Sequence, residues 1–108
     1  MTIYDDAADL IAAEVATISL HLANDSEVTG SGYTRLAPTY AAASGGVADL
    51  ASTLEFDGPS GTTPTQYGLR DSGGTLWGDL IPITSPEAFN SDDRLDLTSA
   101  PITVAAPE

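Results

Sequence analysis

The lone histidine is the first candidate for chemistry in this sequence. His21 is the only side chain of its type among the 108 residues, so it is the only general acid or base that ordinarily titrates near neutral pH. The chain has no cysteine, and no serine near His21 sits in a glycine-flanked nucleophile elbow. We therefore interpret His21 as a polar residue on the outward face of a strand, and we expect no catalytic residue and no enzyme activity.

Carboxylates cluster at two places where a hard cation could find oxygen ligands. One cluster contains Asp92, Asp93 and Asp96, and the other is the run 24–27. Neither has the spaced acidic ligands and central glycine of an EF-hand loop. In a chain with 16 Asp and Glu such clusters arise by chance, so we interpret them as solvated carboxylates and expect no metal and no cofactor. An ion-binding module is the alternative.

Aromatic side chains point to binding between proteins. Tyrosine and tryptophan are enriched at protein contacts because they bury a large area and keep one polar group. Trp77 falls on the strand face opposite Leu76 and Leu80, which predicts a partly exposed indole. Stacking on a sugar is the alternative for these rings. The candidate interface residues are Tyr33, Arg35, Tyr67 and Trp77.

The charge balance excludes two classes of partner. Sixteen acidic residues face three arginines and no lysine, giving a formal net charge of −13. Nucleic acids and anionic membranes are bound through clustered Lys and Arg, so we expect neither as a partner. Repulsion between the carboxylates opposes folding at low ionic strength, but at about 1 M salt the Debye length falls to about 3 Å. The composition resembles that of proteins from salt-accumulating halophiles, and it predicts stability that rises with KCl.

Two periodicities divide the chain. Residues 2–16 have helical spacing, and Thr2 is a possible cap of the helix. This spacing predicts an apolar face that points inward, made of Ile3, Ala7, Leu10, Ile11 and Val15. It predicts that the acidic residues Asp5, Asp6, Asp9 and Glu14 face solvent. From Thr17 the period becomes two, with Thr17, Ser19 and His21 predicted to face outward, as are Asp49, Thr53 and Glu55 further along. The predicted strands are 17–22, 32–37, 48–56, 65–70, 75–83, 94–98 and 101–104. The fourth and fifth of these are predicted to form a hairpin.

These elements predict a mainly β fold in one structural domain. We expect a single small antiparallel β-sandwich or barrel over residues 17–108, preceded by an N-terminal α-helix over residues 1–16. No apolar run is long enough to span a bilayer, and the acidic start is unlike a secretory signal, so we expect synthesis in the cytoplasm.

Several segments in order resemble a family of small tail-associated virion proteins of tailed bacterial and archaeal viruses, often labelled tail fibre or minor structural proteins. Residues 18–25, ISLHLAND, resemble the family's LHTADP opening, and residues 30–35, GSGYTR, resemble its GGYAR run. Residues 54–56, LEF, match its apolar strand before a turn. Residues 65–71, TQYGLRD, are similar to its THVGLWD strand, and residues 73–78, GGTLWG, to its GGTLLG hairpin. Residues 93–97, DRLDL, resemble its GDTLTI close.

The resemblance implies assembly rather than catalysis. It predicts a structural virion protein of a tailed virus that forms a homo-oligomer and contacts other virion proteins of a tail, baseplate, fibre or capsid. The acidic composition adds the expectation that the host is a halophilic archaeon. Such a protein is made in the host cytoplasm and ends in the virion. The run 24–31 with Tyr33 and Arg35 is the expected subunit contact, since Arg35 is one of three cations and has many carboxylates to pair with, in its own chain or the next. A carbohydrate- or ion-binding β-module is the alternative.

Overall fold

A computed structural model describes residues 3–104 of the chain. One helix precedes seven short strands: α1 Ile3–Glu14, β1 Thr17–His21, β2 Val47–Ala48, β3 Leu54–Asp57, β4 Gln66–Arg70, β5 Ile81–Pro82, β6 Arg94–Leu97 and β7 Ile102–Thr103. The mainly β fold with an N-terminal helix is as predicted, whereas Thr2, the predicted cap, lies outside the described residues. Across residues 3–104, no helix combines the length and apolarity needed to cross a membrane.

The strands form three separate antiparallel sheets. Their orders are β1-β4-β5, β2-β7 and β3-β6. The predicted sandwich or barrel is therefore not closed within residues 3–104, because no strand belongs to two sheets. The predicted hairpin is present in part. Of the predicted strand 75–83 only β5 forms, so Trp77 lies outside any strand; β5 pairs with β4, and Arg70 forms a single further bridge with Leu76.

Two predicted strands are broken by local geometry. The segment 32–37 forms only one bridge, between Leu36 and Ile18, since the three successive residues Gly30, Ser31 and Gly32 at its start have positive φ angles. Left-handed residues cannot continue an extended ladder. The segment 48–56 divides into the end of β2 and the start of β3. Between them Asp49 was predicted to face outward, but it is half-buried and its Oδ1 accepts the N–H of Leu50 at 2.8 Å.

The burial of the helix departs from the prediction in part: Val15 is buried, and Asp6 and Glu14 are exposed, as predicted, but three other residues are reversed. Ile3 and Leu10, expected inward, are 75% and 71% exposed. Asp5, expected in solvent, is buried together with Ala8 and Ala12 on the side that contacts β2 and β7. The helix therefore packs through Ala8, Ala12 and Asp5 together with the half-buried Ile11, and it leaves Ile3 and Leu10 in solvent.

Backbone donors of a glycine-containing loop explain this orientation. Asp5 Oδ1 accepts the N–H of Gly46 at 2.7 Å, and Asp9 Oδ1 accepts the N–H of Ala43 at 2.8 Å. A buried N–H without an acceptor costs about 1–3 kcal/mol, so the two carboxylates stabilise the loop as well as the helix position. The alanines between them let the helix lie close to the sheet.

The core lies beneath the sheets and includes both faces of β1. Ile18 and Leu20 are fully buried, as predicted, and they pack with Phe56 and Phe89. The prediction that Ser19 and His21 face outward was wrong, since they are 0% and 4% exposed. A strand buried on both faces can carry polar side chains only where partners satisfy them, and these two have such partners.

Candidate functional site

Antiparallel pairing of β1 with β4 brings together two segments that carry the resemblance. The register opposes Ser19 to Gly68 and His21 to Gln66. Gly68 leaves the room that this packing needs, because a Cβ on it would lie 2.9 Å from Ser19 Oγ and 2.5 Å from Leu76 Cδ1. The segment after β4 thus covers the polar face of β1.

Ser19 and His21 form a buried hydrogen-bonded pair. His21 Nδ1 lies 3.0 Å from the carbonyl oxygen of Asp25, which can only accept, so Nδ1 carries a hydrogen. The other ring nitrogen, Nε2, is hydrogen-bonded to Ser19 Oγ over 2.8 Å. Ser19 Oγ in turn accepts Arg70 Nε–H at 2.9 Å.

This pair has the atoms of a nucleophile and its base but not the access that catalysis needs. A reactive serine must be within reach of a substrate carbonyl, and Ser19 is completely covered. Its hydroxyl oxygen also accepts a hydrogen bond from Arg70. We therefore interpret the pair as a polar anchor between β1 and β4.

Glu27 is the centre of the polar network next to this anchor. Its carboxylate accepts two hydrogen bonds from Arg35, from Nε at 3.0 Å and from Nη2 at 2.9 Å. Tyr33 donates its hydroxyl to the same carboxylate at 2.9 Å, while its oxygen accepts the Leu20 N–H at 2.8 Å. Arg70 Nη2 lies 3.9 Å from Glu27 Oε1. Two of the three cations in the chain therefore converge on one carboxylate.

The ionisation of this network is fixed by its contacts. The hydrogen bond from Arg35 lowers the pKa of Glu27, partial burial opposes the shift, and the bond from Tyr33 adds to it. The bond to Glu27 raises the pKa of Arg35, and burial raises the pKa of Tyr33 above its usual range. At neutral pH the network thus contains a carboxylate, a guanidinium and a neutral phenol, which suits a fixed scaffold.

The four candidate interface residues have different exposures. Arg35 has 37% of its side chain exposed and pairs with a carboxylate of its own chain. Tyr33 is half-buried and stacks on Phe56, with ring centroids 6.2 Å apart. Trp77 is 42% exposed, as predicted for a partly exposed indole. Tyr67 is 3% exposed and belongs to the core.

One residue of each acidic cluster, Asp25 and Asp93, makes a structural hydrogen bond across the fold. Asp25 Oδ1 accepts Gln66 Nε2–H at 2.8 Å, and Asp93 Oδ1 accepts the N–H of Ser60 at 3.1 Å. Asp25 and Asp93 both have positive φ angles, which Asp tolerates in turns. No group of three potential ligands that could hold a metal ion occurs in the part of the chain that the structure describes.

Asp49 is a structural residue that the strand pattern misassigned. Besides the N–H of Leu50, its carboxylate accepts the N–H of Ala100 at 2.9 Å and the hydroxyl of Ser99 at 2.6 Å. Burial raises its pKa, but these hydrogen bonds together lower the pKa of Asp49 by more. Only its partners far along the chain distinguish it from the solvated acids, so no local signal identifies it.

Comparisons with protein-family models, with curated proteins and with solved structures gave no match. The functional interpretation therefore depends on the geometry and on the sequence resemblance alone.

Proposed function

We propose that this chain is a structural virion protein of a tailed virus of a halophilic archaeon. It acts through contacts with copies of itself and with other virion proteins, in a tail, baseplate, fibre or capsid assembly. It is made in the host cytoplasm and ends in the virion. The observation that carries the proposal is that large apolar side chains are exposed on a strongly acidic protein.

The exposed apolar side chains on the helix form a stripe. Ile3, Ala7 and Leu10 follow one another at helical spacing, so they lie on one face, and the first and last are the most exposed large hydrophobic residues described. Single exposed apolar residues are ordinary, whereas contiguous ones mark contacts with other proteins. Because the opposite face of the helix is anchored by Asp5, this stripe is available to a partner.

Convergence of the resembling segments supports the same proposal. Two pairs of neighbouring stretches, one within residues 18–35 and one within residues 65–78, meet at the network of Glu27. Arg35 Nη1 lies 3.5 Å from the position of a Cβ on Gly74, and Arg70 Nη1–H donates to the Gly74 oxygen at 3.0 Å. Segments that shape one rigid surface suit an assembly protein, which needs a fixed contact geometry.

The distribution of charge supports a high-salt environment. Exposed carboxylates far outnumber exposed cations among the described residues. The exposed acidic residues are Asp6, Glu14, Asp25, Glu55, Asp57, Asp79, Glu87, Asp92 and Asp96. We expect the melting temperature to rise between 0.1 and 3 M KCl as the repulsion is screened. A flat or falling melting temperature would contradict the halophilic assignment.

Genomic context tests the viral assignment. We expect genes for tail or capsid proteins on both sides of the gene for this chain. Flanking genes of cellular metabolism, with no virion gene nearby, would contradict the proposal. Size-exclusion chromatography with light scattering at 3 M KCl tests self-association, for which we expect an oligomer.

Exposure of Trp77 favours a second candidate, a carbohydrate-binding module. An exposed indole can stack on a sugar ring, and Asp79 nearby in sequence is an exposed hydrogen-bond acceptor. Binding on a glycan array that is lost in Trp77→Ala would support this candidate over assembly.

A further inference from the structure

A groove of about 590 Å³ lies between β5 and β6. Ile81, Pro82 and Ile83 line one side, Leu95, Asp96 and Leu97 line the other, and Tyr67 also contributes. A strand that presents its face to a groove lines it with alternate residues. Here consecutive residues of each strand line it, so both strands present their edges.

The outer edge of β6 is open along part of its length. In the described region 3–104, β6 pairs only with β3. Gly58 N–H donates to the Asp93 oxygen, so the backbone of Asp93 points toward β3 and that of Arg94 points away. The N–H of Asn90 donates a hydrogen bond to the backbone carbonyl oxygen of Arg94 at 2.9 Å, so this oxygen already has a partner. Backbone groups two residues apart point the same way, so the N–H and C=O of Asp96 also point away from β3.

The edge of β5 can contact a bound segment through its side chains but cannot pair with it as a strand. Ile83 N–H donates to the Thr65 oxygen at 2.9 Å, so the backbones of Ile81 and Ile83 point toward β4. The residue between them is Pro82, which has no N–H to offer to another strand. The side chains of Ile81 and Ile83 are half-buried and leave apolar surface in the groove.

We propose that this groove binds an extended segment of a partner protein, which adds to β6 as a strand. The backbone of the segment forms hydrogen bonds with the N–H and C=O of Asp96. Its apolar side chains pack on Ile81 and Ile83, and its Lys or Arg side chains face the carboxylates of Glu87 and Asp96. Main-chain hydrogen bonds supply affinity in this mode, and alternate side chains supply specificity.

Charge decides between a partner and a second copy. The groove residues include two exposed carboxylates, Glu87 and Asp96, and no cation. A second copy carries a net charge of −13 and no lysine, so it brings like charge to this rim. A basic, alternating segment matches both the rim and the apolar wall. The inference rests on the proposed assembly role only for the identity of the protein that supplies this segment.

A short peptide tests the groove without any virion. The probe is an acetylated and amidated eight-residue peptide that alternates Ile or Val with Lys, titrated into the ¹⁵N-labelled full chain at 1 M KCl. We expect saturable shifts of the amide signals of Ile83, Asp96 and Thr98. Absence of saturable binding, or shifts confined to α1, would overturn the proposal whatever the fate of the viral assignment.

Two isomeric control peptides test strand addition itself. Each carries two backbone N-methyl groups, either on odd or on even residues, so only one isomer loses the N–H groups that face β6. We expect that isomer to bind at least tenfold more weakly and the other to bind like the parent peptide. Equal affinity of the two isomers would refute pairing with β6.

Charge and self-association have their own controls. Replacing every Lys of the peptide by Glu should weaken binding at least tenfold, and equal binding would refute a basic partner. Asp96→Asn should weaken binding of the Lys peptide, whereas Glu55→Gln, its exposed cross-strand neighbour outside the groove, should not. Concentration-dependent shifts of the groove amides without peptide would overturn the partner in favour of a second copy.

Discussion

Glu27→Gln is predicted to destabilise the fold although it removes one negative charge from a chain of net charge −13. Glutamine keeps one acceptor oxygen and replaces the other by an NH₂ donor. If the glutamine oxygen still accepts the hydrogen bonds from the Tyr33 hydroxyl and from Arg35 Nε, the NH₂ group faces Nη2 of Arg35. Both of these nitrogens are donors, so one charge-assisted hydrogen bond is lost. The buried N–H of Leu20 is affected only through Tyr33, which limits the damage.

The magnitude follows from these contacts. A hydrogen bond to a charged group contributes about 1.5–3 kcal/mol, and partial exposure of this ion pair places the loss near the lower limit, about 1–2 kcal/mol. In a domain of this size that lowers the melting temperature by about 4–8 °C. Glu55→Gln is the matched control, since Glu55 is exposed and no side-chain hydrogen bond of it is found in residues 3–104. It should leave the melting temperature unchanged or raise it at 0.5 M KCl.

This prediction is tested by thermal melts of both variants at 0.5 and 3 M KCl, followed by circular dichroism. Equal shifts for the two variants would refute the reasoning, because bulk charge would then outweigh the contacts of Glu27. A rise in melting temperature for Glu27→Gln would do the same.

Three other perturbations probe the remaining parts of the structure. Gly46→Ala should lower the melting temperature by more than Gly45→Ala. Both glycines have positive φ angles, but only at Gly46 would a Cβ clash, with the backbone oxygen of Val104. Equal losses in melting temperature would contradict this clash. The lowered pKa of Asp49 stabilises the folded state above the unfolded value of about 3.9. The gap in melting temperature between the wild type and Asp49→Asn should therefore be full at pH 6 and shrink as pH falls below about 4, and a pH-independent gap would contradict this. Leu10→Gln should leave the melting temperature within about 2 °C but weaken self-association in light scattering, since Leu10 is exposed; unchanged association would contradict the role of the helix stripe.

Periodicity alone predicted much of the fold. The change from helical to alternating spacing near Thr17 located α1 and β1. The turn residues after Arg70 located the end of β4, but the predicted hairpin formed only in part. It failed for the helix face because the pattern assumes that carboxylates seek water. Asp5 instead satisfies Gly46, a donor supplied by a loop far along the chain.

The candidate site was predictable only in its parts. Tyr33 and Arg35 were identified from composition and resemblance, but their common partner Glu27 was one acid among 16. Ser19 and His21 were assigned to an outward face because alternation along β1 cannot show that Leu76 and Leu80, from the segment after β4, pack near that face. Tyr67 shares a strand face with Leu69, and both are in the core, so its aromatic character indicated packing.

Quantitative mass spectrometry of virus particles tests the central claim most directly. Particles purified on a density gradient at 3 M KCl from the lysate of the producing culture would be compared with the unassembled fraction. The account predicts that this chain sediments with the tail and capsid proteins, at a fixed copy number relative to them. Its presence in the unassembled fraction alone, while those proteins sediment, would contradict a structural role in the virion.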